Sequence, residues 1–387
     1  MTKKIINRRS FLKSASAVGA AGLLTACGSE GSSEDEKSSA SSNGGAPAVN
    51  LKKRNLTMVT TWPKNFPGMG VGAERYAQRI SDMTDGRINI KVYAGGELVP
   101  ALGAFDAVSS GKADIYHGPE YYWQGKAKAF NFFTTVPMGM TADEMAAWIY
   151  QDGGQELWDE LSAPFNIKAF LGGTTGTQMG GWFRNPINSI KDFENLRIRM
   201  PGLGGEVMSR MGATPVTKAG GEIYTALSQG NIDATEWVGP YNDLAFGFYE
   251  IAKYYYYPGL HEPGTAMAIG FNKDVFESFS KADQLLLQVA CEAEYTVMYA
   301  DFNANNGRAL DTLINEHGVK LLKFSDDILE AFGKISIEVI DDIAKEDELT
   351  GRIVASYKDS LARTSKWGEI GERAFTRARA LQQQFDL

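Results

Sequence analysis

"ALSQGNIDATEWVGPYND" (residues 226–243) repeats the plan of "AVSSGKADIYHGPEYYW" (residues 107–123). Each runs from a helix end through a Gly to an Asp three residues on. A short strand follows, and then a Gly-Pro flanked by aromatics. Aligning Gly111 with Gly230 sets Asp114 on Asp233 with no gap. Ligands of open α/β sheets collect outside the carboxyl ends of strands. Two such units in one chain predict two lobes, each presenting a polar, aromatic strand end to a common cleft. The competing reading is that helix–Gly–Asp–strand is a frequent αβ junction, and the repeat alone leaves both open.

The surrounding chain carries the same alternation. "LTMVTTW" (56–62) and "INIKVYAG" (88–95) read as strands, while "VGAERYAQRISDMT" (71–84) and "ALGAFDAVSSG" (101–111) carry helical periodicity. "IKAFLGG" (167–173) and "LRIRMP" (196–201) add further strands. Strands separated by helices predict an α/β fold with right-handed crossovers and mostly parallel sheets. After Lys273 the pattern turns largely helical, over 281–316, 326–346 and about 352–384. At 387 residues, 43% apolar and 22% charged, the chain suits two lobes around sizeable cores. A net charge of −8 argues against general nucleic-acid binding, yet leaves room for a locally positive anion pocket.

The first residues read as an address. Arg8-Arg9 before Ser10-Phe11-Leu12-Lys13 resembles a twin-arginine export signal, and the apolar run Ala15–Ala26 is too short to span a bilayer. Leu24-Thr25-Ala26-Cys27 resembles a bacterial lipobox, which makes Cys27 the expected lipidation site; an ordinary secretory signal with a chance Cys is the alternative. Residues 1–26 are thus assigned as signal peptide. The Ser-, Gly- and acid-rich stretch 27–50 is assigned as a lipidated tether unable to build a core. Cys291, in the helical pattern "LLLQVACEAEY", reads as a buried structural thiol.

Three histidines, His117, His261 and His317, stand far apart, and no HExxH, CxxC, GxSxG or P-loop pattern occurs. "GMGVGA" (68–73) fits a dinucleotide fingerprint only loosely, because "PKNFP" separates it from the strand; it reads as a flexible loop at the cleft edge. Three features remain that could hold an anion. In "LRIRMPG" (196–202), Arg197 and Arg199 share one face, and an Arg at a strand end can grip a carboxylate with two parallel hydrogen bonds. A solvated strand-edge pair is the plainer reading. "GTTGTQMGGWF" (173–183) is a Gly-rich segment carrying Gln178. Glu236 in the opening stretch and Glu262 in "LHEPGT" (260–265) would repel each other if close, unless a hard cation sat between them.

The combination resembles the extracytoplasmic solute-binding subunits of tripartite ATP-independent periplasmic (TRAP) transporters, in the subgroup that binds 2-oxo acids and related monocarboxylates. It covers about Leu56 to the C-terminus and includes "GGELVPALGAFDAVSSGKADI", "EYYWQGK", "FFTTVPMGM", "LRIRMPG" and "TEWVGPYND" with "LHEPG". The resemblance implies no catalysis. It implies a two-lobed periplasmic-binding-protein-like fold with the ligand cleft between lobes, a long lobe-spanning helix and a helical C-terminus. The lobes would comprise approximately 51–145 plus 237–275 and 146–236 plus 276–325, with 326–387 as a helical tail.

By the same resemblance Arg199, rather than Arg197, anchors the ligand carboxylate. Gln178, Glu236, Glu262 and the Trp237 main chain surround a Na⁺ or Ca²⁺ that bridges to the ligand, and Tyr122 lines the opposite wall. A TRAP permease is the implied partner, and the C-terminal helix implies a homodimer. The twin-arginine and lipobox features depart from the family's usual secretory signal and imply tethering to the membrane. The residues leave other readings open: a sugar acid, polyol or amino acid as ligand, a hydrolase or lyase using Glu236 and Glu262, or a sensor subunit.

Overall fold

The structure, a computed structural model, describes residues 52–381. The signal peptide, the tether and Cys27 lie outside the described residues. Among the described residues, eleven strands form two mixed sheets. The first has the order β2-β1-β3-β10-β4, from β1 (Arg54–Thr60), β2 (Ile88–Tyr93), β3 (Ile115–Gly118), β4 (Ile167–Thr174) and β10 (Ala266–Asn272). The second has the order β11-β9-β5-β8-β6-β7. Its strands are β5 (Gly181–Phe183), β6 (Arg197–Arg199), β7 (Thr214–Val216), β8 (Ala234–Thr235), β9 (Tyr254–Tyr257) and β11 (Lys320–Lys323).

Alternation in β1 sends Leu56 and Met58 to a buried face with Ile88, Ile115, Phe170, Ile269 and Phe271. The helix Met69–Met83 covers that face through Ala73, Tyr76 and Ile80, and the long helix Lys281–Asn315 adds Leu287 and Cys291. Each large apolar side chain buried there contributes roughly 1.5–3 kcal/mol. A separate cluster around Trp182, Trp237, Tyr255, Ile223, Leu227 and Phe302 supports the second sheet.

The repeat is structural. Gly111 and Gly230 both end their helices with positive φ, 74° and 71°, a conformation glycine adopts without strain. Beyond them, Asp114 Oδ2 accepts from the Thr57 amide at 2.7 Å and Asp233 Oδ2 from the Arg197 amide at 3.2 Å. The reciprocal bonds run from the Asp114 amide to Thr57 O and from the Asp233 amide to Arg197 O. Each Asp therefore fastens its strand to the parallel neighbour on which the lobe's cleft end depends: β3 beside β1, and β8 beside β6.

Three expectations need correction. The sheets are mixed rather than mostly parallel, because β10 runs antiparallel between β3 and β4, and β5 antiparallel between β8 and β9. The chain does not leave the first sheet near 145 or return to it near 237. It leaves between Thr174 and Gly181 and returns between Tyr257 and Ala266. The cause is the pairing of "IKAFLGG" with β10, a contact between distant segments that no local pattern announces. Finally, "GMGVGA" is no loop: from Met69 it is helix, packed where a Cβ on Gly72 would clash with Met298 of the long helix.

The two crossovers, 175–180 and 258–265, run side by side and are hydrogen-bonded. The Gln178 amide donates to Glu262 O, the Gly259 amide to Gln178 O and the Thr175 amide to Thr265 O, at 3.0–3.1 Å. A third crossover is the helix Lys281–Asn315, which touches both β4 of the first lobe and Pro240–Phe246 of the second. The tail also spans the lobes. Asp326–Ile343 packs on Gly202–Arg210, and Glu348–Ile370 packs on Ala142–Gln151 and Gly154–Ser162.

Candidate functional site

The pleat of β6 sets Ile198 opposite its two arginines, and their surroundings tell the arginines apart. Ile198 enters the core, Arg197 pairs at the surface with Asp233 (2.6 Å), and Arg199 is wholly buried. Pro201 follows, and the helix Gly202–Arg210 carries the chain away. Arg199 is held from several sides. Nη1 pairs with Glu236 Oε1, Nη2 donates to Tyr122 Oη at 3.0 Å, and Nε and Nη2 donate to Lys218 O at 3.2 Å. The Trp237 ring lies 5.0 Å from the guanidinium carbon, within cation–π range. Tyr122 comes from the first lobe, so this guanidinium joins both.

Glu236 lies one residue beyond β8, and its amide donates to Arg199 O at 3.2 Å. Its side chain is fully buried: Oε1 faces Arg199 and Oε2 lies 3.3 Å from His261 Nε2. The crossovers bring the remaining groups. Gln178 Nε2 donates to Glu262 Oε2 at 2.8 Å, and to the Thr175 and Thr265 hydroxyls. The Thr265 hydroxyl also donates to Glu262 Oε2. Gln178 Oε1, Glu262 Oε1 and Trp237 Nε1 are buried without a hydrogen-bond partner among the described residues.

Burial pushes the Glu262 carboxyl up to about 7, and the charge of Glu236 adds to the shift. For Arg199 and His261 burial opposes the charged form. Burial is the largest single influence, but Glu236, Tyr122, Tyr121 and Glu262 together outweigh it at Arg199, and Glu236 with Glu262 outweighs it at His261, so each stays more basic than usual. One donor atom each from Glu236, His261 and Glu262 lies within 4.8 Å of the others. Crowded carboxylates and unpartnered oxygens are what a hard cation relieves, and a buried guanidinium is what an organic acid seeks. The residues therefore fit a cation beside a carboxylate.

Every side chain expected at the site converges here: Gln178, Glu236, Trp237 and Glu262 together, with Arg199 and Tyr122 beside them. His261 converges too, outside the set expected from sequence. Its only sequence signal is adjacency to Glu262, and a lone His carries little.

Residues 58–347 match the family described as bacterial extracellular solute-binding protein, family 7, and residues 6–25 match the twin-arginine translocation pathway signal sequence. A monocarboxylate 2-oxoacid-binding periplasmic protein of Nostoc sp. is 37% identical over 370 residues, 96% of this chain and 98% of that protein. A TRAP periplasmic solute-binding protein from Pseudoalteromonas atlantica, solved with bound sodium and pyruvate, superposes with a TM-score of 0.82 at 38% identity, covering 84% of this chain and 99% of that one. A TRAP solute-binding protein from Bordetella bronchiseptica, a mixed-occupancy dimer with copurified calcium and picolinate, gives 0.84 at 33% identity, covering 86% and 100%.

Proposed function

The chain belongs to the bacterial extracellular solute-binding proteins of family 7, and from that premise we propose how it holds its ligand. The protein is a TRAP solute-binding subunit, not an enzyme; it carries an export signal to the periplasm and works with a membrane permease. Its ligand is a small 2-oxo or 2-hydroxy monocarboxylate. Arg199 takes the ligand carboxylate through a bidentate pair, with Tyr122 and the Trp237 ring walling the pocket. Gln178, Glu236, Glu262 and the Trp237 carbonyl hold a Na⁺ or Ca²⁺. When bound, that cation supplies the positive charge that lets two carboxylates serve an anion site.

The observation behind this reading is one constellation. A buried guanidinium faces two buried carboxylates, and unpartnered oxygens of Glu262 and Gln178 sit beside them. The test is a thermal-shift and calorimetric screen of 2-oxo and 2-hydroxy acids, with and without Na⁺ or Ca²⁺. A saturating ligand raises apparent stability by roughly 3–4 kcal/mol at 100–1,000 times its Kd. Pyruvate or a close analogue is expected to give the largest cation-dependent shift. A shift confined to sugar acids, polyols or amino acids would overturn the ligand class.

Two further features belong to the proposal. Cys27 carries the lipid that tethers the protein to the membrane, supported by Leu24-Thr25-Ala26-Cys27. Labelled fatty acid should enter the wild-type chain and not Cys27→Ser. The tail supports a homodimer, because Trp367, Ile370 and Phe375 on its last two helices and Leu381 just after them are 63–89% exposed.

A further inference from the structure

The imidazole of His261 is 2% exposed, and its Nε2 stands 3.3 Å from Glu236 Oε2. With Glu262 these residues offer three donor atoms within 4.8 Å of one another, a span compatible with a single ion. Glu262 Oε1 and Gln178 Oε1, both buried and unpartnered, lie in the same cluster, since Gln178 Nε2 binds the other oxygen of Glu262. Na⁺ and Ca²⁺ are oxygen-seeking and gain little from a ring nitrogen. Imidazole together with carboxylates instead suits divalent first-row transition metals.

We infer that this pocket also accepts a divalent transition metal, with His261 Nε2 as its nitrogen ligand beside the carboxylates of Glu236 and Glu262. His261 thereby sets the balance between transition-metal and alkaline-earth ions. The inference rests on the reading of this pocket as a cation site. It concerns only which cations enter, and Arg199 keeps its role toward the ligand carboxylate.

The test strips the full chain with a chelator and titrates it separately with Co²⁺ and Ca²⁺, using the metal alone. Wild type and His261→Gln are compared. Cobalt should give wild type a paramagnetically shifted, exchangeable imidazole proton that is missing from the variant. The ratio of Co²⁺ to Ca²⁺ affinity should fall about tenfold or more in the variant. Cobalt-saturated wild type without a shifted imidazole proton overturns the inference, whether or not the variant folds. An unchanged affinity ratio in a folded variant does the same. If pyruvate binding still depends on Ca²⁺ after either result, the cation-site reading stands and only the nitrogen ligand is lost. If wild type binds no cation at all, both fall.

Discussion

Arg199 and Glu236 form an ion pair in which neither side chain is exposed, formed where the adjacent parallel strands β6 and β8 end. Glu236 spends its second oxygen on His261. A ligand carboxylate arriving at Arg199 therefore meets a guanidinium that already has an anionic partner. A cation that draws Glu236 toward Glu262 would leave Arg199 to the ligand. The pair thus ties the two halves of the proposed site together.

Arg199→Ala should weaken pyruvate binding by about 30-fold or more, roughly 2–5 kcal/mol, measured by calorimetry. It should also lower stability by roughly 3–5 kcal/mol in chemical denaturation, because Glu236 keeps its burial and loses its main counter-charge. Wild-type affinity in this variant would move the carboxylate anchor elsewhere.

Removing cations should weaken the ligand even with Arg199 intact. In sodium-free buffer with a chelator, pyruvate affinity should fall about tenfold or more, and added Ca²⁺ should restore it. In Glu262→Gln the restoration should be largely lost, since one of the two carboxylates is gone. Equal affinity with and without cations in wild type would sink the cation bridge.

Stability should depend on pH through Glu120, a carboxyl outside the proposed ligand and cation set. Glu120 is wholly buried, accepting from Tyr116 Oη and from Trp158 Nε1 at 2.6 Å. Burial raises its carboxyl from the ordinary 4.5 to about 8, against the pull of those two bonds. The native state then holds a proton that the unfolded state releases. Its contribution is full below 4.5 and is lost as pH rises towards 8. Denaturation midpoints should fall across that window, and Glu120→Gln should flatten the fall. Asp243, raised to about 7 by burial between Tyr255, Trp182 and the Val238 amide, will leave a residual slope of the same sign. A variant with the wild-type profile would show that Glu120 titrates normally.

The tail predicts an assembly. Ile370, 72% exposed near Trp367 at 69%, should lie in the dimer contact. Ile370→Glu should shift the mass in light scattering from dimer to monomer at micromolar concentration, with little change in thermal stability. A monomeric wild type would remove the dimer.

Much of this protein was legible because it is local. The Gly–Asp spacing of the two repeats works within a few residues: a positive-φ helix end, then a carboxylate returning to one amide. That is why Asp114 and Asp233 could be aligned from letters alone. Alternation in "LRIRMPG" likewise opposed Ile198 to the arginines. It could not separate Arg197 from Arg199, since residues on the same pleat face differ only in what lies beyond the strand. The resemblance made that choice; the structure shows only how their surroundings differ, Arg197 paired with Asp233 at the surface and Arg199 buried against Glu236.

By itself the sequence determined the α/β units, the export signal and the chemical types available to a site, while the two-lobed arrangement came with the resemblance. Only the tertiary structure decided where the chain crosses between sheets, and hence why Gln178, His261 and Glu262 meet. They ride on two crossovers set side by side by antiparallel pairing of β10 with β4 and of β9 with β5. Such pairing depends on which distant strand satisfies a backbone's hydrogen bonds, and composition and periodicity are silent on that partner. The same pairing buries His261 against Glu236, giving a lone histidine a place among the carboxylates.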